Sequence, residues 1–239
     1  MPATVVIHSN PHLANQIESS GWLQSGFKAH GINAETTADK NKAADIHVIQ
    51  GNWYAYNEFI GKPNVLFLNR CFYGDARFDV SLGWLRPDGS RDFMNHGMVR
   101  AKGSCPDVRP RKKTRRCAVI FADYGIDPQA MVLDARTRFD SVFFRPHPAQ
   151  ARETPVMTLK GSLDGVWEIA DVAIGGTSTV LVDAVIQGLH VESTDPLHVV
   201  QGCGEDRQAW LTDLSWAQWH GPTELMNGDF WDHLCAQAD

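Results

Sequence analysis

The chain has 239 residues, with 22 Lys and Arg against 28 Asp and Glu, a formal charge of −6 and five cysteines. At roughly 100–200 residues per domain this length makes one large domain or two small ones, and 43% hydrophobic with 21% charged residues excludes a disordered chain. No apolar run approaches the roughly 18–20 residues of a membrane span, and no basic region precedes the short apolar stretch at the N-terminus, so a cytoplasmic protein with no membrane partner is expected.

In chain order, Thr4 to His8 (TVVIH) reads as a buried strand, followed by a turn at Ser9-Asn10-Pro11 and a helix from His12 to Gly31. Ile46 to Gln50 (IHVIQ) and Asn64 to Asn69 (NVLFLN) read as two further strands. Continuous apolar strands separated by helix-length segments are the pattern of a parallel sheet covered on both faces. Between Phe72 and Pro110 repeated Gly and Pro break any period, which predicts loops with a hairpin near Leu85 to Ser90. Cys117 to Ala122 (CAVIFA) opens a second α/β run: a helix over 127–138, a strand at Ser141 to Phe144, a short helix over 163–170, a strand at Asp171 to Ile174, a helix over 179–188 and a strand at His190 to Glu192. Two C-terminal helices come last, over 206–219 and 222–236. The expected fold class is α/β with two Rossmann-like parallel-sheet domains facing a cleft, divided as 1–110 and 111–239.

The cysteines at 71, 105, 117, 203 and 235 form no C-x-x-C pair, so neither a disulfide framework nor a zinc knuckle is indicated. Six of the 22 basic residues fall in the eight positions 109–116, leaving 16 basic against 28 acidic residues elsewhere, a balance of −12. An acidic protein thus carries one concentrated basic element. Arg111, Lys112, Lys113, Arg115 and Arg116 in it are candidate contacts for nucleic-acid phosphates; the alternative is a solvated linker. Trp53, Tyr54 and Tyr56 are candidate stacking residues for a base or sugar, or core aromatics.

Two segments carry the chemistry. Gly175-Gly176-Thr177-Ser178-Thr179 lies between a strand and a helix, where glycines permit close backbone approach and exposed amides attract an anion; its hydroxyls either face a ligand or cap the helix. Arg145-Pro146-His147-Pro148 ends the preceding strand, with Arg145 a planar fork for phosphate or carboxylate and His147 a donor to a leaving phosphate. In a parallel sheet neighbouring strand ends converge on one crevice. The turn at Asp123-Tyr124-Gly125 faces the same crevice, as a nucleotide contact at Tyr124 and Gly125 or as a plain turn.

From Arg-Pro-His-Pro through Ala-Asp-Val to Gly-Thr-Ser-Thr-Val-Leu-Val-Asp-Ala-Val-Ile-Gln-Gly-Leu-His-Val, the chain resembles the donor-binding half of GT-B glycosyltransferases, especially capsule-polysaccharide-type and phage-encoded members. The likeness covers about residues 117–200, and the tail from Arg207 to Trp231 is similar to the C-terminal helices of phage and prophage members. The resemblance implies that 1–110 is the acceptor-side domain and 111–239 the nucleotide-sugar-binding domain with its C-terminal helices. It places His147, Thr177, Ser178 and Thr179 at the donor phosphates and Asp183, where the family often has Glu, at the ribose. The expected reaction is metal-independent transfer of a sugar from a nucleotide-sugar, with no permanently bound cofactor. The absence of an Asp-x-Asp triplet takes support from the metal-dependent transferase class.

An inverting transferase needs a base, usually from the N-terminal half. Candidates are Asp75, in the loop after the third strand, and His8, ending the first; each is otherwise an ordinary loop or strand-end residue. The basic element and the phage-like tail point to 5-hydroxymethylpyrimidine in double-stranded DNA as acceptor, reached by flipping the base. The competing readings are a transferase acting on a surface or capsular glycan, a sugar-nucleotide epimerase or hydrolase, and a noncatalytic DNA-binding protein.

Overall fold

A computed structural model describes residues 4–51, 58–74, 77–89, 91–93, 105–111, 114–123, 126–148, 150, 152 and 154–237. The chain divides into two compact units, 1–102 with 212–239, and 103–211.

The first unit is built on strands β1 (Thr4–His8), β2 (Asn33–Thr37), β3 (Ile46–Gln50), β4 (Val65–Arg70), β5 (Asp79–Leu85) and the short β6 (Arg91–Asp92), with helix α1 (Ala14–Ala29) between β1 and β2. Strands β2, β1, β3 and β4 run parallel in that spatial order, and β5 joins β4 antiparallel. Val5, Ile7, Ile46, Val48, Leu66 and Leu68 alternate onto one face, where Leu23 and Phe27 of α1 cover them. This is the period-2 face of a sheet meeting the apolar stripe of a helix.

The second unit is all parallel. Its strands are β7 (Cys117–Phe121), β8 (Ser141–Arg145), β9 (Met157–Thr158), β10 (Val172–Gly175) and β11 (His190–Ser193), in the spatial order β11-β10-β7-β8-β9. Helices α2 (Gln129–Arg138), α3 (Leu163–Ile169) and α4 (Val180–Ile186) make the connections. Ala118, Ile120, Phe144, Val172 and Ile174 pack against Met131, Val132 and Ala135 of α2. The chain starts at β7, builds outward through β8 and β9, then returns to the other side of β7 with β10 and β11. The strand order therefore reverses between β7 and β10, the Rossmann order, and this reversal opens a crevice at the carboxyl ends of those two strands.

Helix α5 (Arg207–Ser215) leads to strand β12 (Gln218–His220) and helix α6 (Asp229–Gln237). These last elements depart from the expected division. β12 pairs antiparallel with β5, and Trp219, Leu225, Phe230 and Leu234 belong to the first unit's core. The residues 212–239 expected in the C-terminal domain thus complete the N-terminal one. The physical reason is complementary shape: Gly26 of α1 lies against the Leu225 carbonyl and the Phe230 ring, and Gly221 lies against the Trp22 ring, with no room for a Cβ at either position.

The hairpin expected near Leu85 to Ser90 is the antiparallel β5–β6 pair, with Leu85 facing Arg91, whereas β2, most of β5, the two-residue β9 and β12 have no counterpart in the sequence reading. β2 (NAETT) is a largely exposed edge strand without apolar alternation. β5 (DVSLGWL) is interrupted by Gly83, which the approach of the Asp92 carbonyl and the Phe93 ring requires. β12 has only three residues, in a segment read as helix.

Candidate active site

The crevice of the second unit is lined by the residues just beyond each strand: Asp123 after β7, Gly176 to Thr179 after β10, Pro146 to Pro148 after β8, and Thr194 and Asp195 after β11. The Thr194 N–H donates to the Gly175 carbonyl at 2.8 Å and holds two of these ends together.

The glycine turn is an anion cradle, and its anion comes from the chain itself. The Thr177 N–H donates to Asp123 Oδ2 at 3.1 Å, and the Gly176 and Ser178 amides also bond this carboxylate. A Cβ on Gly176 would collide with the Asp123 carboxylate, which is why glycine stands there. Asp123 is 3% exposed. Burial pushes its pKa up, with nearby Asp195 adding to the effect, while the three amides pull it down. Its other oxygen, Oδ1, is enclosed without a hydrogen-bond partner.

The hydroxyls of the turn behave differently from the amides. Thr179, the residue preceding α4, makes no side-chain capping bond, and Thr177, Ser178 and Thr179 are all partly exposed. Of the two roles open to them from sequence, capping is not the one adopted. Asp183, one turn further along α4, is largely buried, and burial alone raises its pKa to about 6.

Arg145 does not offer its fork to the crevice. Its Nη1 donates to the Leu159 carbonyl at 3.1 Å and its Nη2 to the Gly161 carbonyl at 2.6 Å, so the guanidinium staples the loop after β9. His147 is half-buried at the end of β8, and its carbonyl accepts from the Gln150 N–H at 2.9 Å. Tyr124 and Gly125 lie outside the described residues.

His8 is removed from any acceptor. It is completely buried in the first unit, with Nε2 3.0 Å from His47 Nδ1 and its ring 4.7 Å from that of Phe59. Burial, followed by the neighbouring His47 and Lys62, lowers its pKa to about 4. A neutral, sealed imidazole packs; it does not reach substrate. Asp75, Trp53, Tyr54 and Tyr56 lie outside the described residues.

The basic element sits at the other end of the second sheet. It runs into the amino end of β7, while the crevice opens at the carboxyl ends, one strand length of about 17 Å away. Its charges are partly engaged: Arg111 lies 3.5 Å from Glu205 and 3.3 Å from His190, and Arg116 lies 3.5 Å from Asp140. The Arg109 N–H donates to the Ile186 carbonyl, and Asp171 accepts from Thr114 and from the Arg116 and Cys117 amides. Lys112 and Lys113 lie outside the described residues. Among the described residues no three His, Cys, Asp or Glu side chains gather as a metal-ligand group, and no helix is long and apolar enough to cross a membrane.

Asp123 as the cradle's occupant and the Arg145 staple both escaped the sequence reading. The signal for the first was a carboxylate at one strand end facing a glycine turn at the neighbouring strand end. Strand order and parallel register define the second unit as a Rossmann-type unit. No family model matches the chain and no curated protein matches it. Among solved structures, the chain is similar to KpsC of Thermosulfurimonas dismutans, a beta Kdo 2,7 transferase, at 11% identity over 81% of this chain and 78% of that one, with a TM-score of 0.49. The fold of the present chain rests on its own strand order and register.

Proposed function

We propose that this protein is a glycosyltransferase of the GT-B type that moves a sugar from a nucleotide-sugar to a hydroxyl acceptor without a metal. The observation that carries the reading is the set of hydroxyls at Thr177, Ser178 and Thr179 that do not cap α4, with Asp183 one turn further along that helix and His147 after β8, two strands across the same carboxyl edge of a Rossmann-type sheet. The sequence resemblance, which implies donor-binding roles for these residues, supports the same reading.

In this reading the hydroxyls and His147 bond the donor's phosphate oxygens, and Asp183 takes a ribose hydroxyl. The amides of the glycine turn already hold Asp123, so phosphate recognition falls to side chains. Departure of the nucleotide leaves negative charge on its terminal phosphate, which donors at His147 and the turn stabilise. The acceptor hydroxyl loses its proton to a base from the first unit, where Asp75 remains the candidate and His8 does not.

For the acceptor we propose 5-hydroxymethylpyrimidine in DNA, supported by the charge density of residues 109–116. With a rise of about 3.4 Å of helix axis per phosphate of each strand in duplex DNA, the roughly 17 Å to the crevice corresponds to about five base pairs along the axis. The basic element would then hold flanking backbone, not the reacting base.

The test is to incubate the protein with a panel of nucleotide-sugars and hydroxymethylated DNA, digest the DNA and weigh the nucleosides. A mass gain of one sugar residue supports both donor and acceptor. Release of free sugar with unmodified DNA would instead indicate a hydrolase. His147→Ala is expected to abolish transfer with the fold intact; undiminished activity would remove its role at the phosphate.

A further inference from the structure

Arg207, the first residue of α5, is 9% exposed, and its Nη1 has no hydrogen-bond partner among the described residues. One turn along the same helix Trp210, 4% exposed, leaves its Nε1–H unpartnered as well. Residues three apart share a helix face. Here that face borders the end of the 3₁₀ turn Val199–Gly202: a Cβ on Gly202 would stand 3.9 Å from Trp210 Nε1, and the Cys203 thiol feels the Arg207 charge. Guanidinium and indole nitrogens only donate, so two enclosed donors border one turn without an acceptor.

A second guanidinium stands beside them. The Val108 N–H donates to Gln208 Oε1 at 2.8 Å, which lays the segment carrying Arg111 against α5. Glu205 ties the two arginines: its carboxylate lies 3.5 Å from Arg111 Nη1, and its carbonyl accepts from the Arg207 N–H at 3.1 Å. Burial, then the Arg111 charge, lowers the Arg207 pKa. Arg111 is held in place. Its Nη2 lies 3.3 Å from His190 Nδ1, and because a guanidinium only donates, that nitrogen accepts; His190 Nε2 then carries the proton, 3.6 Å from Glu192, which Arg138 anchors at 2.8 Å. The nearby acids do not balance the pair. Glu205 has a side chain 98% exposed and acts on Arg207 less than Arg111 does. Asp206 Oδ1 accepts from the Ala209 N–H at 2.9 Å, and Asp107 is exposed. The residues that follow Arg111 in sequence, Lys112 and Lys113, add bases. Burying a charge without a counter-ion is costly, and a like charge beside it adds to the cost.

We propose that Arg111 and Arg207, with Trp210 Nε1, bind a phosphate dianion, either free phosphate or the terminal phosphate of an ester. Two neighbouring guanidiniums call for two negative charges, and such a phosphate carries close to two at pH 7. Its tetrahedral oxygens serve both forks and the indole N–H together, whereas a planar, singly charged carboxylate serves one fork. The site lies at the amino edge of the second sheet, where His190 opens β11, and does not depend on the transfer reading.

The test is calorimetric titration of the intact protein with inorganic phosphate, with a short 5′-phosphorylated oligonucleotide, and with the same strand ending in a 5′-hydroxyl. Saturable binding of inorganic phosphate or of the 5′-phosphorylated strand is expected, and the tighter of the two identifies the source of the phosphate. Arg207→Met should lose at least roughly tenfold in affinity and, relieved of an unpaired buried charge, should melt no lower than the native protein in phosphate-free buffer. Arg111→Ala, at a side chain 39% exposed, should weaken binding by a similar factor, whereas Glu205→Gln removes the opposing charge and should tighten it. His147→Ala, at the other edge of the sheet, should bind phosphate as the native protein does, so this outcome is separate from that of the transfer reading. The proposal is overturned by no saturable binding of either phosphate ligand, or by strand binding that ignores the terminal phosphate while free phosphate fails to bind. Native affinity in Arg207→Met and Arg111→Ala, a lower melting point of phosphate-free Arg207→Met, unchanged or weaker binding in Glu205→Gln, or loss of binding in His147→Ala would overturn it equally.

Discussion

Asp183 and Asp123 belong to the same crevice, and burial acts on both, but their partners differ. Asp183 has a folded-state pKa near 6 against an ordinary 3.8. The folded protein therefore holds this proton more tightly than the unfolded chain does. Stability is favoured below about pH 4 and falls as pH rises through 6, by up to about 2 kcal/mol once the shift is discounted for partial solvation. Asp183→Asn should thus raise the midpoint of urea unfolding at pH 8 and leave it little changed at pH 4, while weakening donor binding. A variant less stable at pH 8 would contradict the burial argument. Asp123 is held by three amides, so Asp123→Ala should destabilise by about 1–3 kcal/mol as those donors lose their acceptor. Asp123→Asn keeps one carbonyl oxygen for them and should cost less; equal losses in urea unfolding would show that the cradle contact is not what matters. The glycine turn was legible in the sequence because its residue types are unusual for a strand-to-helix junction. Its occupant was not legible, since Asp123 and Thr177 are 54 positions apart and only the strand order makes them neighbours.

At the scale of elements, five of the strands that the sequence announces are buried on both faces, and VVIH, VIQ, VLFL, AVIF and VAIG carry their own apolar record; β8 and β11 are announced as well, by SVFF and by the position of HVE after a helix, though both are only partly buried. β2, β5 and β12 are strands because of what they pair with, and their local composition points elsewhere. The same dependence governs α1. Glycine inside a helix normally costs up to about 1 kcal/mol relative to alanine, yet Gly26 meets the Leu225 carbonyl and the Phe230 ring directly. Gly26→Ala is therefore expected to destabilise by about 1–3 kcal/mol through overpacking, reversing the helix-propensity trend. Chemical denaturation of this variant decides the matter, and a gain in stability would mean that the C-terminal segment is not seated on α1 in this way.

For the whole molecule, the break near residue 110 separates two α/β runs in sequence but does not bound two folding units. Trp219, Leu225, Phe230 and Leu234 complete the first unit's core from the far end of the chain. A fragment of residues 1–110 should lack a cooperative thermal transition, and supplying 212–239 as a covalent extension should restore one; a cooperative melt of 1–110 alone would show the C-terminal segment to be dispensable. The charge asymmetry is likewise resolved in space: the basic element belongs to the amino edge of the second sheet and the candidate donor residues to its carboxyl edge. The central claim is that this carboxyl edge holds a nucleotide-sugar. Calorimetric titration of the intact protein and of Asp183→Asn with a panel of nucleotide-sugars tests it most directly. The account predicts saturable binding of at least one of them, weakened roughly tenfold or more in the variant. No binding across the panel, or identical affinity in both proteins, would contradict it.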